Sequence, residues 1–261
     1  MSNQPKTALI TGTTSGIGSE LSKLFAKDGY NLILVSRNPQ KLQLQQAELA
    51  KNYGAKIDTI AKDLAQPDAA SEIFNQLQKA GVQVDMLVNN AGFGINGKFA
   101  DTSLEQELQM LQVNIIALTQ LTKLFLPGMI KNGFGKILNL GSTGSYTPCP
   151  FEAVYCASKA YVLSFSNAIR AELNGTGVTV TALCPGATKT EFPKKAMMEE
   201  TILFKRTVMD TEQVALAAYR GLMRNKKVIV PGGLNKLMVW SIPFTPAPIT
   251  EKLTTMLVKR R

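Results

Sequence analysis

Thr7-Ala8-Leu9-Ile10-Thr11-Gly12-Thr13-Thr14-Ser15-Gly16-Ile17-Gly18 is the stretch on which the fold turns. Its first part, Thr7–Thr11, is apolar and β-branched and has the length of a buried strand. A glycine-rich turn follows, and then an apolar helical pattern over Gly16–Asp28. Such a turn lets backbone N–H groups approach a pyrophosphate, and the helix N-terminus adds partial positive charge. The spacing is G-x-x-x-G-x-G rather than the common dinucleotide pattern G-x-G-x-x-G.

Outward from this unit the same alternation repeats. Further strands are expected at Asn31–Ser36, Lys56–Ala61, Met86–Asn89, Lys136–Leu140, Val178–Cys184 and Lys227–Val230. Helices are expected at Pro39–Tyr53, Pro67–Ala80, Ser103–Lys131, Ala153–Asn174 and Thr211–Asn225. Near-continuous apolar strands alternating with helices predict a doubly wound parallel α/β sheet of about seven strands, a Rossmann-like three-layer sandwich. Ligands of such sheets sit at the carboxyl ends of the strands. Without a linker or repeat, residues 1–232 form the expected cofactor-binding and catalytic domain, and 233–261 a basic amphipathic extension of it.

Composition narrows the chemistry. The chain has 29 Lys and Arg against 19 Asp and Glu, a net charge of +10. That excess suits an anionic ligand, an acidic membrane surface or simply a basic enzyme. No aromatic-basic interleaving marks a nucleic-acid groove, so no nucleic-acid partner is expected. Cys149, Cys156 and Cys184 lack CxxC spacing, which disfavours a disulfide framework or a metal site and points to a reducing cytoplasm. The first residues carry no apolar signal segment, and no uninterrupted apolar run is long enough to span a bilayer. Histidine is absent altogether. Ser-His-Asp and Cys-His catalysis and His-ligated metals are therefore excluded, and proton transfer falls to Tyr, Lys, Asp, Glu or Cys.

Tyr155 and Lys159 stand four residues apart in a helical pattern and so share a face. A phenol is a poor acid-base group near neutrality until a neighbouring cation favours its phenolate. As bare residues the two could equally be an exposed aromatic and a solvated lysine. They fall, however, in a series with the glycine turn, Asn89-Asn90-Ala91-Gly92, Asn114, Ser142 and Pro185-Gly186. With that series, over residues 6 to about 232, the chain resembles the short-chain dehydrogenase/reductase family. The resemblance implies that Tyr155 exchanges a proton with the substrate oxygen while Ser142 polarises it. Lys159 would also hold the nicotinamide ribose, and Asn114 would keep a water in a proton relay. As bare residues Ser142 fits a turn and Asn114 a helix interior. For the cofactor the resemblance implies Gly12, Thr14, Ser15, Gly16, Ile17, Gly18, Asn90, Ala91 and Gly92, then Tyr155, Lys159, Pro185, Gly186 and Thr188. Asp63 and Leu64 would meet the adenine, although Asp63 could instead cap the next turn.

Cofactor choice is expected after the second strand. An acidic residue there would bind the ribose hydroxyls and repel a 2′-phosphate. The chain instead has Ser36 and Arg37, and a guanidinium can clamp a phosphate bidentately, so NADP(H) is expected.

The substrate side is expected to be mostly apolar: Phe93 and Gly94, the segment Thr143–Glu152, and Gly186–Phe192. Cys149 and Cys156 are assigned to packing. Thr188–Thr207 resembles the family's substrate lid, whose Lys194, Lys195, Lys205 and Arg206 suit either an anionic substrate or a solvated face. The tail offers helical spacing at Leu253, Met256 and Leu257 beside Lys252, Lys259, Arg260 and Arg261. It could cover the pocket, meet a partner subunit or lie peripherally on an anionic membrane. The expected activity is reduction of a lipophilic or acyl ketone or aldehyde, a carbonyl/alcohol oxidoreductase. The family commonly forms homodimers or homotetramers through helices equivalent to Ser103–Lys131 and Ala153–Asn174. The rivals are a catalytically silent NADP-sensing protein and a sugar-nucleotide epimerase.

Overall fold

Strands β1 (Thr7–Thr11), β2 (Asn31–Ser36), β3 (Ile57–Ala61), β4 (Met86–Asn89), β5 (Gly135–Leu140), β6 (Val178–Leu183) and β7 (Val228–Ile229) form one parallel sheet in the order β3-β2-β1-β4-β5-β6-β7. They belong to a computed structural model that describes residues 5–206 and 208–259. The basic end of the tail, Arg260 and Arg261, lies outside the described residues, as do Met1–Gln4 and Thr207.

Alternation along each buried strand feeds two cores. Ala8, Ile10, Leu32 and Leu34 face one layer, where they meet α1 (Gly16–Lys27), α2 (Pro39–Tyr53) and α9 (Thr211–Met223). Leu9, Ile33, Val35 and Leu87 face the other, against α3 (Ala69–Lys79) and α5 (Leu118–Lys131). Both sheet faces are thus covered, which is why the strands are hydrophobic almost without alternation. The chain order reverses between β1 and β4, opening a crevice at their carboxyl ends.

Two expectations are corrected. The helix expected over Ser103–Lys131 is a run of α4 (Leu104–Leu111), a π-helical segment Gln112–Ala117 and α5. Wide single turns of this kind often occur at functional sites, and this one contains Asn114. By length and composition the run Leu104–Lys131 could cross a membrane. Its Met110, Ala117, Leu121, Phe125 and Met129 are nevertheless buried, most of them in the core shared with α3. The last strand is also shorter than expected, because as an edge strand it pairs on one side alone.

Helix α6 (Ala153–Glu172) follows a short 3-10 turn at Thr143–Tyr146. After β6 come α7 (Phe192–Lys195) and α8 (Ile202–Arg206), and the tail forms α10 (Gly233–Ser241) and α11 (Ala247–Val258).

Candidate active site

The glycine turn is held by close backbone contacts. A Cβ on Gly18 would lie 2.3 Å from Gly12 O and 2.4 Å from Asn90 Nδ2. Asn90 Nδ2 donates to Thr11 O at 2.9 Å and to Gly12 O at 3.0 Å, while Thr11 Oγ1 accepts from Asn90 N and Ala91 N. The β4 motif therefore braces the β1 turn. Buried Gln45 of α2 adds a bond from Nε2 to Thr13 O at 2.8 Å, a support that no pattern in its own segment signals. Ser15 occupies the N-cap position of α1 without a side-chain capping bond, so the first N–H groups of the helix keep their capacity for an anion.

A cavity of about 580 Å³ runs from this turn across the sheet edge. Every sequence-predicted site residue lines it except Gly18 and Asn114. At one end Thr14 Oγ1 and Ser36 Oγ lie 2.9 Å apart, and Arg37 is joined by Lys41 and Lys62, two cations that sequence reasoning missed. Lys41 comes within 3.7 Å of Glu191, and Lys62 pairs with Glu72. Asp63 accepts from Ala65 N at 3.0 Å and so does cap its turn, while also lining the cavity beside Leu64.

At the other end the 3-10 turn after β5 and the start of α6 bring Ser142, Tyr155 and Lys159 together. Ser142 Oγ accepts from Gly144 N at 3.1 Å and lines the cavity together with Tyr155. Ser145 Oγ accepts from Ser142 N and donates to Lys159 O, tying the serine turn to the helix. Lys159 Nζ donates to Leu140 O at 2.7 Å and lies 5.8 Å from the Tyr155 ring centroid.

The phenol departs from expectation. Burial raises the Tyr155 pKa well above the usual value; Glu152 and the cysteines push the same way, and Ser142 only partly opposes them. Desolvation dominates, and the Lys159 Nζ is directed to a carbonyl rather than to the phenol. The Lys159 ammonium is itself brought down by burial to about 8, so it remains charged at pH 7.

Asn114 stands behind this group. Its Oδ1 accepts from Phe93 N at 3.2 Å, and its Nδ2 donates to Phe93 O at 3.0 Å and to Ser158 Oγ at 3.1 Å. A Cβ on Gly92 would meet Asn114 Oδ1 at 2.9 Å and Lys159 Nζ at 3.3 Å. A further amide ladder was not legible in the sequence: Asn89 Nδ2 donates to Asn139 Oδ1 and Thr122 Oγ1, and Asn139 Nδ2 to Ser166 Oγ.

The substrate end is apolar, and much of its wall comes from distant sequence. Phe192 packs against Tyr155 with ring centroids 5.4 Å apart, and Met198, Leu203 and Phe204 continue the wall. The tail covers it: Met238, Ile242, Leu253, Met256, Leu257 and Val258 line the cavity. Thr254 Oγ1 donates to Pro148 O, and Asn96 Nδ2 to Val258 O at 3.0 Å. Cys149 and Cys156 are buried, and Cys149 Sγ donates to Thr147 O at 3.5 Å, which suits packing. Of the basic lid residues, Lys194 and Lys205 do not line the cavity; Lys205 pairs with Glu200 at 2.7 Å and Lys194 is exposed. The side chains of Lys195 and Arg206 lie outside the described residues.

A family model described as short chain dehydrogenase matches residues 6–201. The ketoacyl reductase HetN of Nostoc sp. is 36% identical over 181 residues, 69% of this chain and 63% of that protein. A very-long-chain 3-oxoacyl-CoA reductase of Phaeosphaeria nodorum is 40% identical over 179 residues, 66% of this chain and 52% of that protein. These matches thus span between half and two thirds of the two relatives. Among solved structures, a short-chain dehydrogenase from Sphingobium yanoikuyae in complex with NADPH superimposes with a TM-score of 0.82 at 29% identity, covering 92% of this chain and 96% of that one.

Proposed function

The chain belongs to the short-chain dehydrogenase/reductase family, a nicotinamide-dependent oxidoreductase of ketones and alcohols, and from that premise we propose that it is an NADPH-dependent reductase of lipophilic ketones or aldehydes. The observation that carries the reading is the shared cavity, in which a cation-lined, glycine-floored end meets Ser142, Tyr155 and Lys159 under an apolar roof.

The residues present fit the cofactor. A side chain at Gly18 would collide with the turn, and the uncapped first turn of α1 offers N–H groups to a pyrophosphate. Arg37, Lys41 and Lys62 favour a 2′-phosphate at the adenosine end, and the Sphingobium relative is an NADPH complex. NADPH supplies the hydride when bound. Tyr155 donates its phenolic proton to the oxygen of the substrate carbonyl, and its raised pKa keeps it in the neutral, donating form. Ser142 Oγ hydrogen-bonds the same oxygen and polarises the carbonyl. Lys159, charged at pH 7 and anchored to Leu140 O, keeps two N–H donors for the nicotinamide ribose. Asn114 positions Phe93 and Ser158 around that lysine.

The remaining surfaces suit a cytoplasmic homo-oligomer with a peripheral membrane contact. Leu104, Leu108, Ile116 and Tyr161 are exposed on α4, the π segment and α6, as a subunit interface requires. On the tail, Leu234, Trp240 and Phe244 are each at least 66% exposed near Lys236, which suits an anionic lipid surface.

Oxidation of NADPH, followed at its absorbance band over a panel of apolar ketones and aldehydes, tests the activity. Turnover of at least one, abolished in Tyr155→Phe, is expected. Tight NADPH binding without reduction of any carbonyl would favour the cofactor-sensing alternative.

A further inference from the structure

Two cysteines meet beside the catalytic turn. Cys149 lies in the loop before α6, and Cys156 in the first turn of that helix, next to Tyr155. Glu152 N donates to Cys149 O at 3.0 Å and Cys156 N to Glu152 O at 2.9 Å, so two successive turns carry Cys149 over the start of the helix. Phe151, between them, takes φ of 69°, a left-handed conformation that a bulky residue adopts only where its surroundings impose it. A Cβ on Gly144 would meet Cys156 Sγ at 2.6 Å and Cys149 Sγ at 3.6 Å. Both sulfurs thus border one methyl-sized space, two residues from Ser142.

Both cysteines also line the cavity, whereas Cys184, packed against Gly141, does not. A small molecule in the cavity therefore reaches this pair and not the third thiol.

The two thiols differ in acidity. Cys156 and Thr147 hold Cys149 below the usual thiol value against the effect of burial, and Thr147 Oγ1 lies 3.8 Å from its sulfur. Cys149 and burial push Cys156 up, so it stays a thiol. Burial raises the neighbouring Glu152 carboxyl to about 8, so at neutral pH it sets little charge against a Cys149 thiolate. An acidified thiol beside a protonated one suits a pair in which the first attacks and the second resolves.

We propose that Cys149 and Cys156 close to a reversible disulfide on reaction with hydrogen peroxide or another small hydroperoxide, and that the bridge switches the catalytic centre off. The Cys149 thiolate attacks one peroxide oxygen and the O–O bond breaks. Cys149 becomes a sulfenic acid, and the departing hydroxide takes up a proton as water. The Cys156 sulfur then attacks the Cys149 sulfur and the S–O bond breaks. The hydroxyl leaves with the Cys156 proton as a second water, so two thiols are oxidised and one peroxide is reduced. Bringing the sulfurs to about 2.05 Å draws the loop onto the helix. The bridge then joins the residue after Tyr155 to a loop packed on Gly144, whose N–H holds Ser142 Oγ, and shifts the serine against the phenol.

Trypsin cuts after Lys136 and Lys159, so residues 137–159 leave as one peptide with both cysteines and without Cys184. The test treats the whole protein with hydrogen peroxide, blocks free thiols with iodoacetamide and digests without reductant. The peptide should emerge unalkylated and two hydrogen masses lighter. Turnover of NADPH with a ketone should fall about tenfold to a hundredfold, as displaced catalytic groups cost, and dithiothreitol should restore both. Cys149→Ala should form no bridge and keep most of its own activity through the peroxide treatment. Cys156→Ala should stop at a sulfenic acid on Cys149, trapped by dimedone. If either variant fails to fold, the wild-type peptide and its activity decide. A peptide that takes up two alkyl groups, or gains oxygen without closing, would overturn the bridge. A bridge that leaves kcat unchanged would overturn the switch. The kcat arm rests on the reductase reading and the mass arm does not, so the two can fail separately.

Discussion

The two ends of the cavity are built differently. The cofactor end is held by backbone geometry: Gly12, Gly18, Thr11 and Asn90 interlock within hydrogen-bonding distance, and a single methyl group at Gly18 would collide with a carbonyl. The substrate end is held by side-chain packing, with Phe192, Met198, Phe204, Leu257 and Val258 drawn from three separate segments. Between them lies the hinge of the chemistry, where Ser145 ties the Ser142 turn to Lys159. A backbone site tolerates almost no substitution, whereas a packed apolar wall can be rebuilt with other residues of similar volume.

The contrast can be broken at its centre first. Tyr155→Phe should lower kcat about 10²–10⁴-fold, the usual worth of a positioned acid, while NADPH binding, read by fluorescence, stays unchanged. Full turnover in that variant would remove the phenol from the mechanism. At the cofactor end, Arg37→Ala should weaken NADPH about tenfold to a hundredfold, as expected for a charge-assisted bond worth roughly 1.5–3 kcal/mol, with NADH altered far less; equal losses would undo the NADP preference. Gly18→Ala should cost about 1–3 kcal/mol of stability through overpacking, seen as a Tm several degrees lower and relieved in part by saturating NADPH. The mildest change belongs to the packed wall. Leu257→Ala should raise KM for an apolar ketone a few-fold and leave NADPH affinity intact. A comparable loss of NADPH binding would show that the two ends are not independent.

The pH dependence sharpens the same division. Lys159 has a folded pKa lowered to about 8, so its charged form dominates below that value and is lost above it. Reduction should accordingly proceed at a constant kcat well below pH 8, fall to about half near pH 8 and decline further above it for every substrate. Tyr155, with its pKa raised, contributes no falling limb near neutrality. A kcat that instead climbs from pH 7 to 9 would contradict this assignment.

Much of the fold was legible because short buried strands and capped helices write themselves locally. Asn38 accepts from Lys41 N and Gly54 takes φ of 66°, so both ends of α2 follow from single residues. The break at Asn114 was not legible, because a π turn in an apolar helix has no composition of its own; it is fixed by bonds to Phe93 and Ser158. Gln45, Lys41 and Lys62 were missed for a similar reason, since their partners and the cavity they border lie outside their own segments.

The sequence by itself determined that histidine-free proton chemistry would fall to groups such as Tyr155 and Lys159, and that Arg37 stands where an acid would exclude a 2′-phosphate. Those are statements about which residue types exist at which spacing. The tertiary structure alone decided the protonation states, because desolvation depends on everything packed around a group. It keeps Tyr155 a neutral phenol, brings Lys159 down to about 8 and leaves Glu152 an uncharged, unpaired acid in the substrate cavity.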